Sequence, residues 1–297
     1  LPRERTGVFV GMEPDPEVVR WGTRWRLAAT AREAGASAEW LAAARDAVVP
    51  VLEAAAVVGT MPNIPANRLS SQLDLGGSAF TVQAGEASGT TALSLAARAL
   101  GNGELDAALV GAVALSCESV HRSAVEALSG GTAEPPGDAA VVLVVKRLED
   151  AERDGERVLA RIDETPWSEE GDGRGPRLDL DGESSPDLAA RFGSAWAASD
   201  LVHVAAAALS LHHRQLPGGK PWLPAGPGAR GAVVHAPEGP SVRLTEAATH
   251  PRRAVNDTPR LRCFSGSGRA AVIEALLSGQ EGLGAGTDAR LVLVACD

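Results

Sequence analysis

Tyrosine is absent from this chain of 297 residues, phenylalanine occurs four times, and aromatic residues make up only 3% of the whole. A core must therefore be filled by small aliphatic side chains, and 33 glycines among alanine-rich stretches favour close approach of backbone to backbone. Cysteine is as sparse. Cys117, Cys263 and Cys296 stand far apart and in no metal-ligand spacing, which argues against a disulfide framework or a zinc site and implies reduced thiols in a cytoplasmic setting. Basic residues are in deficit, 28 against 38 acidic, and the net charge of -10 disfavours nucleic acid as a partner. No apolar run reaches the roughly 18 residues of a membrane span, and the opening LPRERTGVFVG has no signal-peptide core, so no membrane role is expected.

What is present is organised around one stretch, FTVQAGEASGTTALSLAARALGNG at 80–103. A short apolar strand turns sharply through Ala84 and Gly85 into a helix whose Ala87, Leu93, Ala96, Ala97 and Leu100 alternate only with small or hydroxylated residues. Such a helix packs on nearly every side and belongs inside the molecule. Glu86 is the exception: at the start of a helix, a carboxylate meets unpaired N–H groups and the positive end of the dipole.

The remaining chain reads as alternating elements. TGVFVG at 6–11 is a strand that begins abruptly, as an internal strand would if part of a domain lay upstream, and 17–34 and 37–53 read as two helices with Ser37 as N-cap of the second. Residues 61–74 hold two prolines and an amphipathic turn. After the central helix, AALVGAV at 107–113 completes a parallel crossover, 120–128 is helical, and AAVVLVV at 139–145 has the β-branched continuity of a strand buried on both faces. A strand follows within 157–162, and the acidic, Gly-rich and Pro-rich 163–186 has no period. Helical pattern returns over 188–214, strands at 231–235 and 241–246 suit a hairpin through Gly239 and Pro240, and 260–297 has strand, helix, strand character with Ser265 or Ser267 as the helix cap. Gly101 and Gly103 follow a helix and act as its stop, not as a phosphate loop, and the acidic groups at 11–17 and 168–172 match no metal-binding loop.

Four segments carry a resemblance. RTGVFVG at 5–11, NIPANRLSSQLDLGGSAF at 63–80, TALSLAARALGNGELDAALVGAV at 91–113 and GDAAVVLVVKRLEDAERDGERVLARI at 137–162 together resemble the β-ketoacyl synthase, or condensing enzyme, family, and a weaker match continues over 192–217. The resemblance implies an α/β thiolase-like fold, here incomplete or degenerate, over residues 1–250, with a small α/β linker subdomain at 259–297 of the type that precedes an acyltransferase. It also places Glu86 where the family holds its nucleophilic cysteine and Ser194 where it holds its second catalytic histidine. The region of the first histidine, 163–186, contains none, and the glycine-rich turn of the family's second half is missing from GARGAVVHAPEGPSVRL. Cys117 falls past the strand at 107–113 and reads as a structural thiol, and His203, His212 and His213 as surface or packing residues.

Loss of all these parts together implies loss of the condensation reaction. The expectation is a non-condensing scaffold in a polyketide or polyunsaturated fatty acid synthase. Its expected partners are an acyl carrier protein and the ketosynthase or acyltransferase domains of the same synthase, in a homodimer or heterodimer. No cofactor of its own is expected, phosphopantetheine arriving only on the carrier. Two alternatives stay open: a malonyl-thioester decarboxylase in which Glu86 is the working carboxyl, and an acyl-binding or pantetheine-binding module without chemistry.

Overall fold

The computed structural model describes residues 2–14, 17–116, 119–130, 135–163, 177–181, 188, 193–217, 221–222, 229–236, 239–247, 260–280, 282 and 289–295. Its first sheet is built on β1 (Thr6–Gly11), in which all six residues are buried. This strand lies between β2 (Ala79–Val82) and β3 (Ala107–Ala114), parallel to both, with Phe9 opposite Phe80 and Val110. β4 (Ala139–Lys146) runs antiparallel on the far side of β3, giving the order β2-β1-β3-β4. The expected crossover from β2 to β3 is present, and β1 occupies the place between them.

Four helices connect β1 to β2: α1 (Glu17–Glu33), α2 (Ala38–Val48), α3 (Ala54–Thr60) and α4 (Ile64–Gln72). Ser37 caps α2 as expected, its Oγ accepting from the Trp40 amide at 3.1 Å. The helix read over 37–53 is in fact two. It ends at Val48 because Val49 is extended and Pro50 cannot continue it, and α3 begins only after Glu53.

After β2 come α5 (Ser88–Gly101), β3, α6 (Ser119–Ser129) and β4, then α7 (Leu148–Arg153) and β5 (Ala160–Ile162). β6 (Arg177–Asp181) arises inside the stretch read as structureless, and the rest of 163–186 beyond Asp163 lies outside the described residues. A 3-10 turn (Trp196–Ala198) leads into α8 (Ser199–His213), followed by β7 (Gly231–His235) and β8 (Val242–Glu246). These last two form the expected antiparallel hairpin, and the second sheet has the order β5-β8-β7-β6. The tail forms β9 (Arg260–Gly266), α9 (Arg269–Ser278) and β10 (Ala289–Ala295), with β9 and β10 antiparallel. Gly268, not Ser265 or Ser267, occupies the N-cap of α9, without a side-chain bond.

α5 and α8 form a helical layer between the two sheets. A single apolar core joins Phe9, Val110 and Ala112 of the first sheet, Leu93, Ala96, Leu201 and Val204 of the helices, and Ala232, Val234 and Leu244 of the second sheet. Small residues make this closeness possible. At Gly89 a Cβ would stand 2.8 Å from Leu201 Cβ, 3.2 Å from Ala112 Cβ and 3.3 Å from the Ala197 carbonyl oxygen, so only glycine lets α5 and α8 cross here.

The reading of β4 as buried on both faces fails. Val141, Leu143 and Val145 pack into the core, whereas Val142 and Val144 are 68% and 61% exposed. A β-branched run reports strand propensity on both faces but not whether a neighbour covers the second one.

Candidate functional site

The turn between β2 and α5 is held by a serine. Gly85 adopts φ +58°, the left-handed conformation that a sharp reversal needs. The Ser88 hydroxyl accepts from the Ala84 amide at 2.9 Å and donates to the Gly85 carbonyl at 2.7 Å, while the Ala87 and Ser88 amides reach back to the Ala84 and Gly85 carbonyls. Ser88 is fully buried, so one side chain closes the elbow with both its donor and its acceptor. The sequence reading did not single it out, although a hydroxyl three residues after a glycine turn is the pattern that marks it.

Glu86 lies in this turn, half-buried and two residues ahead of the first residue of α5. Its negative charge acts on Asp200, in the first turn of α8, which is only 7% exposed. Thr90 Oγ1 donates to Asp200 Oδ2 across a long 3.4 Å. Burial, and after it the charge of Glu86, push the Asp200 carboxyl up from 3.8 to about 6, with the Thr90 hydrogen bond opposing the rise. Asp200 was also not foreseen. The available signal was a lone carboxylate inside the apolar run AASDLVHVAAAALSL; what the sequence does not show is that this turn meets Thr90, 110 residues earlier.

The first turn of α5 is tightly enclosed. A Cβ at Gly239, in the turn between β7 and β8, would lie 2.4 Å from Ala87 Cβ and 3.2 Å from Thr90 Oγ1. On the other side stand Leu201 and Ala197 against Gly89. Ser194 sits five residues before α8, its backbone paired with the loop ahead of β4: the Gly137 amide donates to the Ser194 carbonyl and the Ser194 amide to the Pro135 carbonyl, each at 2.8 Å. Gly193 and Trp196 flank it with positive φ, at 69° and 38°. The Trp196 ring meets His121 edge-on at 5.7 Å.

His203 is buried, with Nδ1 at 2.8 Å from the Ser199 carbonyl, and His212 bonds to Arg157 and stacks edge-on with His213. These are packing and surface positions, as read. Cys117 lies outside the described residues. No cluster of three or more potential metal ligands occurs among the described residues, and no described helix is long and apolar enough to cross a membrane.

A second polar cluster lies at the other end of α5, roughly 20 Å away for a helix of this length. A cleft of about 470 Å3 there is lined by Asp106, Lys146, Arg147, Asp150, Arg153, Asp154 and Glu156. Arg147 bonds to Asp106 and Asp150 at 2.7 Å each and to the Leu100 and Leu105 carbonyls at 3.1 and 2.6 Å. Its charge serves the C-terminal end of α5, and the surrounding acids and bases are paired with one another. This cluster fastens α5 to the sheet and leaves the elbow as the site with chemistry to explain.

Chemically, the elbow offers carboxyl groups and hydroxyls. An acyl group moved from a thioester to Glu86 would form a mixed anhydride and release the thiolate, a step uphill from the thioester.

Residues 1–151 match the family described as beta-ketoacyl synthase, N-terminal domain. The chain is 31% identical over 179 residues to the phthioceranic/hydroxyphthioceranic acid synthase of Mycobacterium tuberculosis, covering 55% of this chain and 8% of that protein. It is 35% identical over 132 residues to a highly reducing polyketide synthase of Alternaria alternata, covering 39% of this chain and 5% of the other. The chain thus spans under a tenth of the length of these relatives. Among solved structures, the ketosynthase from module 6 of the bacillaene synthase of Bacillus subtilis 168 superposes with a TM-score of 0.56 at 17% identity, over 99% of this chain and 64% of that one. An oxazolomycin ketosynthase domain from Streptomyces albus JA3453 gives 0.56 at 16% identity, over 92% and 60%. The fold is thiolase-like, and the chain belongs to the β-ketoacyl synthase family.

Proposed function

We propose that this chain is a non-condensing ketosynthase-like domain that acts as a scaffold in a polyketide or polyunsaturated fatty acid synthase. The observation that carries this reading is the elbow: position 86 holds a carboxyl, set against a second carboxyl at Asp200, at the foot of a helix whose first turn is closely packed. Ser194 adds a hydroxyl where the family holds an imidazole. Residues 1–250 form the ketosynthase-like unit and 259–297 the linker toward an acyltransferase. The partners are an acyl carrier protein and neighbouring ketosynthase or acyltransferase domains, phosphopantetheine arrives only on the carrier, and the setting is cytoplasmic.

The test is incubation of the chain with acyl and malonyl thioesters of a carrier protein. The expected result is an unchanged intact mass and no carbon dioxide above the protein-free rate. A covalent adduct on any residue overturns the scaffold reading. Turnover of malonyl thioester that Glu86→Gln abolishes establishes the second reading, a decarboxylase or acyl-binding site working through Glu86, which the proximity of Asp200 favours by placing a second proton-holding group beside it.

Pairing between copies is part of the proposal. Among the described residues β2 is the outer strand of the first sheet; it carries neither lysine nor proline, and Phe80 on it is 47% exposed while its ring meets Phe9 edge-on at 5.2 Å. An open strand edge of this kind favours addition of a partner strand. A dimer burying more than roughly 1,000 Å2 through Phe80 and Val82 is expected at micromolar concentration, alone or with a ketosynthase domain. Sedimentation equilibrium of the isolated chain checks it; a species that remains monomeric both alone and when mixed with a ketosynthase domain shows that this mode of association is gone.

A further inference from the structure

The outward side of α1 carries apolar and basic residues together. Val18, Gly22, Trp25, Ala29 and Arg32 recur at the spacing of one helix face, with Arg26 beside them. Trp25 is 77% and Val18 54% exposed, and the others on this face are open except the half-buried Gly22. The opposite side is spoken for: Arg24 bonds to Asp46 and to the Val49 carbonyl, Arg20 reaches Ser119, and Ala31 is buried.

We propose that this face is a docking site for an acidic amphipathic helix of a partner protein. Three features choose that occupant. A tryptophan exposed to this degree between two small residues is a ridge flanked by recesses; a Cβ at Gly22 would meet nothing within 4 Å, so a second helix can approach to the roughly 8–10 Å of ordinary helix packing. Arg26 and Arg32, at the edges of the ridge, make no hydrogen bond or ion pair among the described residues, whereas Arg20 and Arg24 on the inner side are engaged. Two unengaged guanidinium groups beside an exposed indole match carboxylates flanking an apolar stripe. Two copies of this chain meeting face to face would instead gather four unpaired guanidinium groups at one seam. The proposal is independent of whether the elbow has chemistry.

The probes are a fluorescein-labelled synthetic 20-residue helix with a leucine and alanine stripe flanked by glutamates, and its twin with lysines in their place, titrated with the full chain by anisotropy. The glutamate helix is expected to bind saturably and the lysine twin at least about tenfold more weakly. Trp25→Ala, and separately the pair Arg26→Glu and Arg32→Glu, are expected to weaken the glutamate helix by about tenfold or more, with thermal unfolding unchanged because these side chains are on the outside. Equal binding of both helices, or indifference to Trp25→Ala, overturns the proposal. So does a self-associated form of the chain that Trp25→Ala disperses, which makes the face a contact between copies, and so does Trp25-dependent pelleting with phosphatidylserine vesicles, which makes it a lipid surface.

Discussion

Replacing Gly89 by valine is expected to move the urea midpoint of the whole protein further than any surface substitution. Even the first added carbon would stand 2.8 Å from Leu201 Cβ, inside the distance that real Cβ atoms keep, and that neighbour is itself a Cβ, fixed to the backbone of α8. Leu201 and Ala112 are at most 2% exposed, so neither can swing into solvent. Overpacking of a core costs about 1–3 kcal/mol, and valine, whose two further methyls enter the same contact, belongs at or above the top of that range. Alanine is the instructive case. In a helix it is favoured over glycine by about 1 kcal/mol, so at Gly22, where nothing lies within 4 Å, Gly22→Ala should be neutral or stabilising. At Gly89 the same change should be destabilising, because the clash exceeds the propensity gain. Equilibrium unfolding of both variants checks this, and a Gly89→Ala protein as stable as the parent would mean that α5 and α8 do not cross as closely as described.

The second large effect depends on pH. Asp200 is raised by burial and then by Glu86 from 3.8 to about 6, so the folded protein holds its proton more tightly than the unfolded chain does. The sign follows. Above about pH 6 the folded state must keep a charged carboxylate in the core; between about 6 and 4 this penalty disappears, so the Asp200 contribution favours folding as pH falls. Two units at about 1.4 kcal/mol each give roughly 3 kcal/mol as the size of the effect. Asp200→Asn is therefore expected to be more stable than the parent at pH 8 by up to about 3 kcal/mol, with the advantage vanishing near pH 4. Glu86→Gln should show a smaller difference of the same direction, since Glu86 is the lesser of the two causes. The quantity to measure is the difference in unfolding free energy between variant and parent across pH 4 to 8, which cancels the titration of the other acids. A difference that is flat across that range would show that Asp200 is ionised in the fold without penalty.

Much of the first sheet was legible because its elements are long, apolar and bounded by glycine or charge: β1, β2, α5 and β3 fall within a residue or two of their reading. The elbow was legible as a place. Its wiring was not. Ser88 closes the turn through its hydroxyl, and such bonding to a neighbouring backbone depends on the φ of Gly85 and not on composition. Asp200 escaped notice because its significance lies in a contact spanning 110 residues. β6 escaped because RLDLD offers only five residues of alternation, too few to distinguish from a loop. Pro50 was visible, yet the apolar residues around it sustained a helical period that the backbone abandons at Val48.

The helical layer between the sheets also has a consequence for synthesis on the ribosome. α5 emerges roughly a hundred residues before α8, since it ends at Gly101 and α8 starts at Ser199. At about 5–20 residues per second the interval is about 5–20 seconds. Throughout it, the side of α5 that will receive Leu201 and Val204 has no cover, while β1, β2 and β3 can already assemble against its other side. In a nascent chain arrested between residues 101 and 199 this side of α5 lacks its cover, and the apolar cluster that Leu93 and Ala96 share with Leu201 and Val204 closes only when α8 is made.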